Sequence, residues 1–187
     1  MEEKKQLILE AALGLFVTYG FHGTPTSKIA QEAGVANGTL FHYFPTKEDL
    51  VIALYVDIKN QMGCYVTDNA PIVPNLRETL RKQYLASLYW ALDHPTEFRF
   101  IEQFVASPYL QKVAAEEVEK RIKPFMELLQ KGMDEKTIRT MPVDLLFTLI
   151  SSHIYGINNY LINHQMPKVQ EHALISDSFE WLWSMIT

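Results

Sequence analysis

The chain is short of several things, and each shortage excludes a class of protein. It has one cysteine, Cys64, so neither an internal disulfide framework nor a cysteine zinc site can be built. That usage fits a reducing compartment. No run of about 18 apolar residues occurs, so no transmembrane helix is expected. The opening Met1-Glu2-Glu3-Lys4-Lys5 lacks the long apolar core and cleavage site of a signal peptide, and a cytoplasmic location is expected. Eight glycines and nine prolines are too few for a collagen-like or low-complexity chain. The motifs HExxH and GxSxG and a Gly-rich phosphate loop are missing. Six histidines and several carboxylates would permit acid–base chemistry. However, His22, His94, His164 and His172 fall at predicted helix ends or loops without metal-ligand spacing. No catalytic residue, metal or cofactor is expected, and the reading is not an enzyme.

What is present is the composition of a folded protein. With 48% hydrophobic and 21% charged residues, 187 residues can bury one sizeable core or two small ones. The net charge of −5 argues weakly against a general nucleic-acid coat protein. Its distribution is more informative. Through residue 47, Lys4, Lys5, Lys28 and Lys47 balance Glu2, Glu3, Glu10 and Glu32, so the whole excess of acid lies beyond. Any contact of the first quarter with a polyanion must therefore be focused geometrically.

Helical period dominates, and no strand or internal repeat is predicted; the fold class is all-α with about nine helices. Leu7, Ile8, Ala11, Ala12, Leu15, Phe16 and Tyr19 make an apolar stripe that Gly20 stops. Thr24-Pro25 reads as a cap hydroxyl with proline at the first helical position, opening a short helix that Gly34 ends. A second short helix runs from Ala36 or Asn37 to Tyr43, closed by Pro45. Thr46-Lys47-Glu48-Asp49 resembles a capping box and opens a longer helix to about Tyr65. Residues 67–74 read as a loop. Asn75 with Glu78 starts the next helix, which Asp93-His94-Pro95 breaks, and a short one follows to about Ala106. Ser107-Pro108 is expected to start a long helix to Gly132, kinked before Pro124. The last two span about Pro142–Asn163 and Val169–Ile186. The natural boundary lies near residue 45, giving domains 1–45 and 46–187.

The informative stretch is TPTSKIAQEAGVANGTLFHYFPTK, residues 24–47. Two helices of about two turns joined through Gly34 have the spacing of a helix-turn-helix. Ile29, Ala30, Ala33, Val35 and Leu40 supply its small inward face, and the second helix starts with the short polar set Asn37-Gly38-Thr39. With Ile29-Ala30, Ala33-Gly34-Val35, Gly38-Thr39-Leu40, Phe41-His42-Tyr43-Phe44 and Lys47, preceded by Phe16 and Gly20-Phe21, the chain resembles the TetR family of bacterial transcriptional regulators over about residues 5–55. The resemblance implies a three-helix DNA-binding domain followed by a helical domain that binds an effector and dimerises. It also implies DNA contacts. Thr24 would cap the second helix and touch phosphate, with Ser27 and Lys28 on its outer side. Asn37, Gly38 and Thr39 would sit at the floor of the major groove, followed by Phe41, His42 and Tyr43, and Lys47 would grip a phosphate. Two departures stand out. Ala36 replaces the family's frequent Ser, and Asn37 its frequent basic residue. No arginine precedes Arg77, whereas guanine readout favours arginine, so an operator leaning toward A·T is expected. A solvated His42 and an aromatic core at Phe41 are the bland alternatives. Lys47 opposes the dipole at its helix start, a small local cost that hints at a purpose beyond the helix.

For the body, the resemblance implies a dimer, and two unusually apolar helices support it. Leu145, Leu149, Ile150, Ile154, Ile157 and Leu161 with Phe179, Leu182, Trp183 and Ile186 would form a four-helix interface between two chains. A two-fold dimer sets two recognition helices about 34 Å apart on a pseudo-palindromic operator. An effector pocket would be drawn from Met62, Tyr84, Leu88, Phe100, Phe104, Phe125, Met126 and Leu129, with Gln103, His153, Tyr155 and Asn159 as polar members. The excess of apolar over charged groups points to a hydrophobic or aromatic effector. The function expected is a repressor released from double-stranded DNA by a small molecule. The alternative is a helical ligand-binding or interaction protein that has lost specific DNA binding.

Overall fold

The computed structural model describes residues 2–112, 115–164 and 166–187. They form nine α-helices and, among the described residues, no strand: α1 Glu2–Gly23, α2 Thr26–Glu32, α3 Asn37–Tyr43, α4 Lys47–Asn69, α5 Leu76–Asp93, α6 Pro95–Val105, α7 Ala115–Asp134, α8 Val143–Asn163 and α9 Lys168–Ile186. A 3-10 helix, Pro108–Lys112, follows α6.

Local chemistry explains most of the ends. Gly20 interrupts α1 with φ +73°, a left-handed conformation open to glycine at little cost. Helix α2 closes with Gly34 at φ +66°. There Gly34 N–H donates to Gln31 O and Val35 N–H to Ala30 O, the paired bonds of a Schellman ending. The expected capping box before α4 forms: Asp49 N–H donates to Thr46 Oγ1 at 3.1 Å, and Thr46 N–H returns a bond to Asp49 Oδ2 at 3.0 Å. Asn75 caps α5 through Glu78 N–H at 2.9 Å.

Three expectations are corrected. Thr24 does not cap α2: Pro25 holds the cap position without a side-chain bond. Thr24 is instead fully buried, its hydroxyl aimed at Gly20 O (2.9 Å) and Leu15 O (3.1 Å). The break at Gly20 frees carbonyls of the α1 helix, and the threonine serves those. Helix α4 continues to Asn69, one turn past Tyr65, and in that turn Thr67 Oγ1 donates to Gly63 O and Asn69 Nδ2 to Tyr65 O. After Ser107-Pro108 the chain makes the 3-10 helix, with Ser107 Oγ accepting from Tyr109 N–H, and α7 is a separate helix.

The chain packs as two compact units, Met1–Gln61 with His94–Val113, and Met62–Asp93 with Ala114–Thr187. Packing thus places α6 with the N-terminal helices. The reason is aromatic. Phe100 of α6 lies 5.6 Å from Phe21 and 6.3 Å from Phe16, ring centre to ring centre, and Gln103 donates to Val17 O. Tyr55 stacks on Phe104 at 4.0 Å.

In the second unit, α8 packs on α5, α7 and α9. Its core holds Tyr84, Leu88, Leu129, Leu146, Ile150, Leu161, Ile175, Phe179, Leu182 and Ile186. Part of the expected interface set lies in this core. Ile150, Leu161, Phe179, Leu182 and Ile186 are each at most 6% exposed within one chain and fill its own core. Ile154, Ile157 and Trp183 are partly buried against the same core. The exposed large side chains of α8 and α9 are Leu145, Tyr160, Ile162, Val169, Trp181 and Met185.

Candidate functional site

The helix-turn-helix displays one polar face. Leu40 and Phe44 turn inward, 0% and 3% exposed. Asn37, Gly38, Phe41 and His42 are exposed, and Thr39 and Tyr43 partly so. Alternation of the two sets at helical spacing follows from Leu40 and Phe44 being four apart. The His42 and Tyr43 rings meet edge to face at 5.5 Å. Phe41 is 45% exposed, so its bland reading as core is set aside. Beside this face a depression of about 560 Å³ is lined by Glu3, Lys4, Gly38, Thr39, His42 and Tyr43. Lys4 therefore joins the set. It could not be found from spacing, because its nearness to α3 is a product of packing between α1 and α3.

The remaining cations are each placed. Lys28 is exposed, with Nζ 3.7 Å from the centre of the Tyr19 ring, and Ser27 beside it is exposed. Lys47 is half-buried, and burial lowers its ammonium below the usual lysine range. Nearby Glu48 is engaged by Lys112 Nζ at 2.6 Å. Thr24, buried with its hydroxyl turned inward, is the one member of the expected DNA-contact set that does not reach the surface through its side chain.

The expected effector residues are divided between the two units. Phe100, Gln103 and Phe104 belong to the first unit and pack with α1 and Tyr55. Met62, Tyr84, Leu88, Phe125, Met126, Leu129, His153, Tyr155 and Asn159 belong to the second. Leu88 and Leu129 are fully buried core. Tyr84 hydroxyl lies 2.9 Å from both His153 Nδ1 and Ser178 Oγ, and Ser178 donates to Ile175 O. With the Ser178 proton committed, the set is satisfied when His153 Nδ1–H donates to Tyr84 and Tyr84 donates to Ser178. Burial pushes the Tyr84 phenol up to about 12 and holds the His153 imidazolium below its usual range. Asn159 is exposed, whereas its neighbour Asn158 is 1% exposed. Phase along α8 could have distinguished them, since Asn158 lies four after Ile154 and three before Leu161. Among the described residues no group of three or more His, Cys, Asp or Glu could hold a metal.

Two family descriptions cover nearly the whole chain. Residues 8–54 match the bacterial regulatory proteins of the tetR family, and residues 55–187 match the tetracyclin repressor-like C-terminal domain. The chain belongs to the TetR family. A solved structure from Shewanella sp. PV-4, assigned to the tetR family of transcription regulators, superposes with a TM-score of 0.90 at 32% identity, covering 98% of this chain and 97% of that one. The HTH-type transcriptional regulator RutR of Escherichia coli K12 is 35% identical over 113 residues, 57% of this chain and 51% of that protein. The matched part thus spans about half the length of that curated relative. The HTH-type transcriptional repressor KstR2 of Mycobacterium tuberculosis is 27% identical over 148 residues, 76% of this chain and 74% of its own. Among the described residues no helix of this TetR-family chain is long and apolar enough to cross a membrane.

Proposed function

We propose that this TetR-family chain is a repressor that binds a pseudo-palindromic DNA operator as a two-fold dimer and is released by a small, largely apolar effector. The observation that carries the reading is the polar face of α3. Asn37, Gly38 and His42 stand out from a helix whose Leu40 and Phe44 fasten it inward. Residues 1–45 read DNA, and residues 46–187 bind the effector and the second chain. Asn37, Thr39 and His42 contact base edges. Ser27, Lys28, Tyr43 and Lys47 position the phosphates, with Lys4 added to them. The word repressor in the name of KstR2 supports the direction of control. Work in the cytoplasm follows from DNA as the partner.

The dimer face is drawn from side chains the fold leaves outside. On α8, Leu145, Ser152, Gly156 and Tyr160 recur at helical spacing, and Trp181 and Met185 do so on α9. Gly156 has open space where a Cβ would stand, room for a close helix approach. Release by effector requires two states of this dimer. A 100-fold change in operator affinity corresponds to about 2.7 kcal/mol of differential binding, and α4, unbroken from Lys47 to Asn69, carries the change.

Selection of bound duplexes from a random pool, repeated across salt concentrations, tests the proposal. A palindromic consensus is expected, with Asn37→Ala changing base preference. Lys47→Ala should weaken binding to every sequence and reduce the salt slope by about one. No enrichment by a folded, dimeric, ligand-free sample refutes DNA reading and favours a helical interaction protein.

A further inference from the structure

The buried polar side chains of the second unit divide sharply. Thr79 donates to Val73 O, Ser87 to Gln83 O and Ser178 to Ile175 O. Asn158 is as deeply buried, at 1% exposure, yet neither its Oδ1 nor its Nδ2 has a hydrogen-bond partner. A carboxamide has two donors and two acceptor sites, and burying one without partners is costly. The threonine and the two serines satisfy themselves on a nearby backbone carbonyl. A helical asparagine can do the same, as Asn163 Nδ2 does with Asn159 O at the end of α8, but Asn158 makes no such bond and keeps its whole carboxamide unpaired.

The surroundings define what could complete it. Helical spacing puts Asn158 on the same face of α8 as Phe147, Ser151, Ile154 and Leu161. Ile154 and Leu161 pack into the core, and the Phe147 ring lies 6.1 Å from Phe125 of α7. The residues of α8 that can be charged near neutral pH are Asp144 and His153. Asp144 is exposed in the first turn, and His153 turns toward Tyr84. The face that holds Asn158 therefore carries no charge of its own. A buried carboxylate or phosphate beside it would lose its hydration without gaining a counter-charge from α8.

We propose that Asn158 is the polar contact for the effector, holding an uncharged carbonyl, carboxamide or hydroxyl group of an otherwise apolar molecule. This rests on the reading of the second unit as effector-binding. The amide donates to the ligand oxygen through Nδ2 and accepts through Oδ1 where the ligand offers an N–H or O–H. The apolar face around it takes the rest of the molecule.

Titration calorimetry and thermal melting of the full chain with two probes of one shape, octanamide and octanoate, test it. The wild-type chain is expected to bind octanamide at least about tenfold more tightly than octanoate, the scale of one buried hydrogen bond plus an unpaired charge. Asn158→Leu should bind octanamide about tenfold more weakly, while its unliganded Tm does not fall. Asn158→Ala, which removes the amide without adding bulk, carries the same comparison, and the exposed neighbour variant Asn159→Leu should bind as wild type does. Wild-type affinity in the Leu and Ala variants, or equal binding of octanoate and octanamide by the wild type, overturns the assignment to Asn158 alone. No binding of either probe by the wild-type chain overturns the reading of the second unit as an apolar effector site, and this proposal with it.

Discussion

The stretch from Thr24 to Asp49 and the second unit are both helical, yet they are fastened differently. In the first, apart from Glu48 with Lys112, the side-chain bonds named above are short in sequence. Thr24 reaches Gly20 and Leu15, and Thr46 and Asp49 bond each other. In the second, local bonds are joined by several between residues far apart: Arg77 with Glu180, Arg81 with Ser176, Tyr89 with His172, and Tyr84 with His153 and Ser178. A segment held by neighbours announces its shape in its own letters. A segment held across a hundred residues does not, because any of several partners is compatible with each letter.

The sharpest way to break this contrast is in the second core. Phe179→Ala, at 1% exposure beside Tyr84 and Trp183, should cost about 3–5 kcal/mol and lower Tm by about 10 °C. Trp181→Ser, two residues on and 54% exposed, should change the stability of one chain by under about 0.5 kcal/mol while weakening self-association. Equal losses in a concentration-independent melt would show that Phe179 is not core. In the first region, Thr24→Val should cost about 1–2 kcal/mol, since two buried carbonyls lose their donor at constant shape; an unchanged denaturation midpoint would mean the hydroxyl is redundant. Thr46→Ala removes the reciprocal cap and should cost about 1 kcal/mol, read from the same curve. The smallest effect is in pH. The folded chain holds the His153 pKa below its ordinary value near 6.5. The unfolded chain then binds the proton first, so this contribution is present above pH 6.5 and lost as pH falls toward the folded value. His153→Gln should flatten that part of the stability profile, and an unaltered profile would exclude His153 as its source.

The same contrast explains what the sequence disclosed. The turn at Gly34, the start of α3, the Thr46–Asp49 box and the Asn75 cap were legible because each is decided within five or six residues. Thr24 was misread within that range. Threonine before proline signals a cap, and only the break at Gly20 makes the carbonyls behind it the better partners. Helices α8 and α9 are legible only by composition. Leu182 and Trp181 are both large and apolar, and which of them faces the core is set by the phase of α9 against α5 and α8, a property of packing. Lys4 beside α3 and Asn158 in the interior escape the sequence for the same reason: neither belongs to a motif, and their positions matter only after the helices dock.

The membership of α6 in the first unit has a consequence for how the protein is made. Phe16 and Phe21 leave the ribosome some 80 residues before Phe100, the ring that covers them. At synthesis rates of about 5–20 residues per second they wait several seconds with their apolar surface uncovered. The reading head cannot be finished as it emerges, and a fragment cut at residue 45 would keep that bare surface permanently.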